Sequence, residues 1–245
     1  MSYYKESILI VAAHPDDEVL GCGGSIAKFA KAGCDVHVVF LADGVGSRHQ
    51  MPADKTIHDE LVRRRGAAHA ALTHLGVSSV DFGDFPDNRM DSLHELDVTK
   101  FVEKYVATYR PDTIFTHHAG DLNVDHRRVH QAVITACRPQ PGHPVRTILF
   151  FEIPSSTEWQ TPGSSVPFLP NWFVDISSVF ELKQLALRSY ATEMRAWPHT
   201  RSYEAVEHLA RWRGATVGVE AAEAFMLGRA VIHDRDILPV EAPRD

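Results

Sequence analysis

Cysteine is scarce in this sequence: there are three in 245 residues, Cys22, Cys34 and Cys137. The number is odd and no two have C-x-x-C spacing. Neither a disulfide framework nor a thiolate zinc site is expected, and a reducing compartment fits. Long hydrophobic runs are missing as well. No apolar stretch approaches membrane-spanning length, so no membrane partner is expected. The first seven residues carry no cationic region ahead of the short apolar run that follows, and no cleavage pattern succeeds it. A signal peptide is therefore not read, and a cytoplasmic location is the expectation. Positive charge is in deficit, with 25 Lys and Arg against 32 Asp and Glu, a formal net charge of -7. Without a compact Lys/Arg cluster to offset it, this argues against nucleic acid as a partner. Internal repeats and low-complexity tracts are absent too.

What is present has the texture of a soluble globular chain, 44% hydrophobic and 23% charged. The length is most simply one domain, 1–245. Strand-like runs at 8–13, 36–41, 80–82, 113–116 and 148–151 alternate with helical patterns at 25–32, 56–75, 94–109 and 125–136. That order implies an α/β fold with a mostly parallel sheet and helices on both faces. The texture changes after Phe151. Residues 154–171 are rich in Pro, Ser and Gly, 173–176 read as a strand, and 179–190 and 203–213 read as helices. A short helix is expected at 221–227 and fraying at 239–245. In the single-domain reading, 155–172 is a long loop and helices within 178–230 complete the fold. Loops of that length are often lids or binding loops.

Two clusters carry the chemistry. His14-Pro15-Asp16-Asp17-Glu18 ends the first strand-like run, and 117–130 (HHAGDLNVDHRRVH) follows the run at 113–116. In an open parallel sheet the carboxyl ends of strands share one edge, where ligands bind, so the clusters can meet. Adjacent carboxylates are costly to hold there without a cation. His14 and Asp17, three apart, can converge on one point with Asp16 beside it. Two imidazole nitrogens and one carboxylate oxygen make a catalytic zinc set with an open position for water. A second, non-ligating carboxylate then serves as general base. His126 and His130, four apart, are rival third ligands by spacing, while His117 and His118 read as strand-end residues near the site. Gly21-Cys22-Gly23-Gly24 has the wrong spacing for a dinucleotide fingerprint, and its glycines read as allowing close packing.

The motif from Ala13 to Glu18, followed far downstream by Asn123-Val124-Asp125-His126, resembles the PIG-L/LmbE-like zinc-dependent N-deacetylases. The resemblance extends to Leu41-Ala42-Asp43-Gly44, the end of the 64–76 helical segment, Phe85-Pro86-Asp87-Asn88 and Val174-Asp175-Ile176-Ser177. It implies a Rossmann-like three-layer sandwich. It assigns the metal ligands to His14, Asp17 and His126 and the general base to Asp16. It also implies Zn2+ as cofactor, with Fe2+ or another divalent ion an alternative because a His2Asp site is not selective by affinity alone. The substrate class implied is a small-molecule N-acetylated amino sugar or sugar conjugate, N-acetylglucosamine-like, and relatives often form homo-oligomers, trimers or hexamers.

One departure stands out. Asn123 occupies a position where many members carry histidine, and Asp121 stands where some carry tyrosine. Asn123 can hydrogen-bond an oxyanion but cannot deliver a proton. Asp16, or an imidazole from His118 or His199, must then protonate the leaving amine. Arg48, Arg64, Asp87, His199 and Arg201 are the expected substrate-binding residues, and Trp159 and Trp172 are candidates for stacking on a sugar. Specificity is expected in loops 44–55, 84–92, 154–171 and 195–202. The activity expected is hydrolytic removal of an N-acetyl group. The alternatives are an amidase acting on a different conjugate and a binding protein that keeps the metal without turnover.

Overall fold

The run Ser-Ile-Leu-Ile-Val-Ala is buried at five of its six positions, because helices cover both faces of the strand it forms. This strand, β1 (Ser7–Ala12), lies at the middle of a seven-stranded sheet in a computed structural model that describes residues 6–48 and 55–232. The fraying expected at 239–245 and residues 49–54 of the loop 44–55 lie outside the described residues.

From β1 the chain passes through α1 (Asp17–Lys31), β2 (Asp35–Ala42), α2 (Lys55–Leu75) and β3 (Ser79–Phe85), building one half of the sheet outward. Helix α3 (Glu95–Tyr109) returns it to β4 (Thr113–His117) on the other side of β1, and α4 (Val124–Ala136) leads to β5 (Thr147–Phe151). These five strands are parallel, with Ile10 level with Val38 on one side and Phe115 on the other. The order is β3-β2-β1-β4-β5-β7-β6. The winding reverses between β1 and β4, and the crevice outside their carboxyl ends is where such sheets bind ligands. Both sequence clusters emerge there.

The remaining elements are β6 (Trp172–Asp175), α5 (Phe180–Ser189), α6 (Tyr203–Ala215) and β7 (Ala222–Ala230). Strand β7 corrects the helix expected at 221–227. Its Ala, Glu, Met and Leu favour helix in isolation, but the segment pairs antiparallel with both β5 and β6, and the two ladders override that preference. The stretch expected to complete the fold with helices thus supplies a strand as well. Residues 155–171 are irregular apart from a 3-10 turn at Thr157–Trp159, and Trp172, placed in the expected loop, begins β6.

Side chains from α1, α2, α5 and α6, among them Ile26, Leu72, Leu187 and Val206, cover one face of the sheet. Val98 and Val102 of α3 and Val129 and Val133 of α4 cover the other. This is the three-layer arrangement expected. Helix α1 begins eight residues earlier than the pattern at 25–32 predicts and is broken once, at Cys22. Gly21 and Gly24 make its position attainable. A Cβ would lie 2.6 Å from the Phe151 ring at Gly21 and 2.8 Å from Ile176 at Gly24. Among the described residues, no helix is long and apolar enough to cross a membrane.

Candidate metal centre and active site

Between β1 and α1 the chain makes a tight turn. His14 N–H donates to Asp17 Oδ2 (2.8 Å), Asp17 N–H to the His14 carbonyl (3.2 Å) and Asp16 N–H to Glu18 Oε2 (3.0 Å). Asp16 sits at φ 125°, a left-handed conformation that a residue with a side chain rarely adopts, which places strain at this turn. Glu18 also accepts from the Tyr190 hydroxyl (2.7 Å), and burial pushes its carboxyl up to about 8. It supports the turn from beneath.

On the opposite wall Asn123 caps α4. Its Oδ1 accepts from Asp125 N–H at 2.8 Å, while its Nδ2 donates to Asn88 Oδ1 at 3.0 Å. The helix start places His126 in the first turn, buried and facing Asp17. His14 Nδ1 and His126 Nε2 each lie 3.4 Å from the same oxygen, Asp17 Oδ2. Ligand atoms around a tetrahedral zinc with bonds near 2.0–2.1 Å are spaced roughly 3.3 Å apart, so this donor set fits such an ion.

Each histidine has a carboxylate behind it. His14 Nε2 donates to Asp125 Oδ2 (3.0 Å) and lies 3.1 Å from Asp87 Oδ1, and His126 Nδ1 lies 3.1 Å from Asp121 Oδ1. Such partners fix the ring and raise ligand basicity. His14, Asp87 and Asp125 form a second group of metal-binding type. Asp125, however, has both oxygens occupied by the backbone N–H groups of Asn88 (2.6 Å) and Met90 (3.0 Å), so it acts as an orienting group. Asp121 accepts from Ser156, from Thr157 Oγ1 (2.6 Å) and from Asn123 N–H (2.8 Å).

The electrostatics show a site that wants positive charge. Burial alone would lower the His14 and His126 rings. The carboxylates around them reverse this, raising His14 well above the usual histidine value and His126 to about 9. Burial would raise Asp17, yet His126 and His117 hold it well below the usual carboxylate range. For Asp16 burial prevails and raises its carboxyl, against the pull of Arg64 and Arg201.

His14, Asp16, Asp17, Arg64, Asp87, Asn123, His126 and Arg201 all line one cavity of about 190 Å3. Of the expected substrate-binding residues, Arg64, Asp87 and Arg201 are therefore at the site. Arg64 and Arg201 pair with Asp16 at 3.2 and 3.0 Å, and Asp87 accepts from the Ser47 hydroxyl at 2.5 Å. His199 is a correction. It does not line the cavity, because its Nδ1 accepts from Arg201 N–H (3.0 Å) and its ring meets the edge of Trp159. The Arg48 side chain lies outside what is described. His118 is turned away to the Val166 carbonyl (2.8 Å), so neither imidazole offered as an acid faces the cavity. His130 donates to the His117 carbonyl (2.9 Å) and packs on Phe150, which separates it from the ligand set. His117 Nε2 accepts from Ala13 N–H (2.8 Å) and thereby pins β4 to β1. Neither Trp159 nor Trp172 lines the cavity.

Sequence reasoning missed Asp121 and Asp125 as the carboxylates behind the histidines, although both sit within five residues of His126. It also missed Glu193, which pairs with Arg64, and Ser155, which accepts from Arg201 Nε (2.9 Å). No local pattern marks these last two.

Comparisons with known proteins give the family and the fold. The family model described as PIG-L: GlcNAc-PI de-N-acetylase matches residues 9–137. The 1D-myo-inositol 2-acetamido-2-deoxy-alpha-D-glucopyranoside deacetylase of Rhodococcus opacus is 26% identical over 285 residues, covering 95% of this chain and 94% of its own. The 4-oxalmesaconate hydratase of Pseudomonas putida is 30% identical over 218 residues, covering 81% and 78%. Among solved structures, N,N'-diacetylchitobiose deacetylase from Pyrococcus horikoshii, complexed with its inhibitor MPG, shares the fold. Its TM-score is 0.72 over 96% of this chain and 90% of that one, at 21% identity.

Proposed function

Because the chain belongs to the PIG-L family, we propose that it is a metal-dependent hydrolase that removes the acetyl group from an N-acetylated amino sugar or sugar conjugate. The observation that carries this reading is the convergence of His14, Asp17 and His126 with Asp16 at the edge of the set. These three residues would hold a divalent ion, zinc in the first instance. Such an ion lowers the pKa of a bound water toward neutrality and polarises an amide carbonyl. Asp16 accepts the proton of the attacking water. Asn123, whose amide is half engaged by Asn88, offers its remaining N–H to the developing oxyanion. With His118 and His199 both turned elsewhere, Asp16 is the group placed to return the proton to the leaving amine. Arg64 and Asp87, on two walls of the cavity, fit the hydroxyl groups of a sugar.

The hydratase relative favours a second reading, the addition of water to an activated double bond at the same polar site. Both readings use Asp16 as base, and substrate decides between them. Purified protein loaded with zinc should release acetate from N-acetylglucosamine or one of its glycosides. Other acyl amides and unsaturated carboxylates should react slowly or not at all. Asp16→Asn should abolish acetate release while zinc stays stoichiometric. Acetate release also excludes a binding protein without turnover, whereas loss of conjugated-alkene absorbance without acetate release would sink the deacetylase reading.

A further inference from the structure

Asp16 is gripped by two guanidinium groups from different segments of the chain, and both reach the same oxygen. Arg64 Nη2 on α2 lies 3.2 Å from Asp16 Oδ2, and Arg201 Nη1 lies 3.0 Å from it. Oδ1 receives no hydrogen bond among the described residues, so it is the oxygen left to face the cavity. The two arginines differ in circumstance. Arg64 is 6% exposed and is also paired with Glu193. Arg201 is 20% exposed, and Asp16 is its acidic partner.

Arg201 is also the more deliberately anchored. Its Nε donates to Ser155 Oγ (2.9 Å), its N–H to His199 Nδ1 (3.0 Å), and its carbonyl accepts from Arg195 N–H (3.1 Å). The next residue, Ser202, caps α6 by accepting from Ala205 N–H (3.0 Å). The residue is therefore held at both ends, its main chain by His199 and Arg195 and its guanidinium by Ser155 of the β5–β6 loop.

We propose that Arg201 is a positioning residue for Asp16. It clamps Oδ2 so that Oδ1 is presented toward the metal set in one fixed orientation. An Asp side chain has two free torsions, and rotation about either moves the reactive oxygen by an ångström or more. Misplacement on that scale costs about 100-fold in rate. This role differs from the substrate contact expected of Arg201 and rests on the reading of Asp16 as the base.

The test uses the zinc-loaded protein and whichever substrate it turns over. Wild-type turnover together with an inactive, metal-replete Asp16→Asn variant establishes the base independently of Arg201. If Asp16→Asn stays active, that reading fails, and with it the premise of the clamp. Given the base, Arg201→Ala should lower kcat about 10- to 100-fold, with KM within about threefold and zinc content and thermal midpoint unchanged. Millimolar guanidinium ion should restore much of the lost rate, and Arg201→Lys should be intermediate. Three results would overturn the proposal. The first is Arg201→Ala turning over at the wild-type rate. The second is a rise in KM with kcat preserved, which would mark a substrate contact. The third is a loss that neither guanidinium nor lysine relieves and that comes with lost zinc or a lower midpoint, which would mark a structural role.

Discussion

Among the histidines of the second cluster, four residues of separation divide the proposed ligand from a brace. His126 lies in the first turn of α4, with Asp17 on one ring nitrogen and Asp121 on the other. His130 lies one turn later on the same helix, but its Nδ1 is spent on the His117 carbonyl. His126→Ala should therefore lose stoichiometric zinc and all turnover, while His130→Ala should keep both and show only a modest fall in stability. Metal analysis of the two purified variants checks this, and zinc retained in His126→Ala would refute the ligand assignment. Asp125 belongs to the same argument. It orients His14 through Nε2, and loss of an orienting carboxylate of this kind weakens metal binding by about 10–100-fold. Asp125→Ala should show that drop in a zinc-competition titration.

Helix α1 is the element on which the site depends, since Asp17 begins it. The helix is broken at Cys22, and its second half starts with unpaired backbone N–H groups. Glu223 of β7 fills that need. Its carboxylate accepts from the N–H groups of Gly24 (2.8 Å) and Ser25 (2.7 Å) and from the Ser25 hydroxyl (2.6 Å), and it pairs with Lys183 of α5 at 2.5 Å. Both members of the pair are buried, so removing one strands the other. Glu223→Ala should cost about 3–5 kcal/mol in urea unfolding, and Glu223→Gln, which keeps an acceptor, should cost less. A fall below about 1 kcal/mol would show that the kink does not need the cap. This element also explains what was legible in the sequence. The parallel half of the sheet reads directly, because strands buried on both faces are continuous apolar runs and the helices between them are periodic. The β7 segment does not, since its residues favour helix and only its pairing with β5 and β6, distant in sequence, makes it a strand. The proposed ligand set can be read from the sequence because its members lie in two short segments, one turn and one helix start. Glu193, Ser155 and Tyr190 cannot, because they reach the site only through tertiary packing.

At the scale of the whole molecule, the reversal of winding between β1 and β4 creates the crevice, and the chain fills it with buried carboxylates. Asp16, Asp17, Asp87, Asp121 and Asp125 are each at most 4% exposed, and the guanidinium groups reaching this group, Arg64 and Arg201, act on Asp16. His14 and His126 are both raised by their carboxylate partners, so protonating them offsets part of the remaining charge. A divalent ion at the proposed site of His14, Asp17 and His126 would replace those protons and neutralise the same carboxylates, so it would bind the folded chain and have no equivalent site in the unfolded one. Stability should therefore follow metal activity. At a free zinc concentration one hundred times its dissociation constant, the linkage contributes about 2.7 kcal/mol. For a chain of this size that corresponds to a rise of about 5–10 °C in Tm. Thermal unfolding of chelator-stripped protein with and without added zinc measures the shift. The shift should vanish in His126→Ala and persist in Asp16→Asn, because the first variant lacks a ligand and the second lacks only the base. An equal shift in all three proteins would mean that zinc stabilises the fold from somewhere other than this crevice.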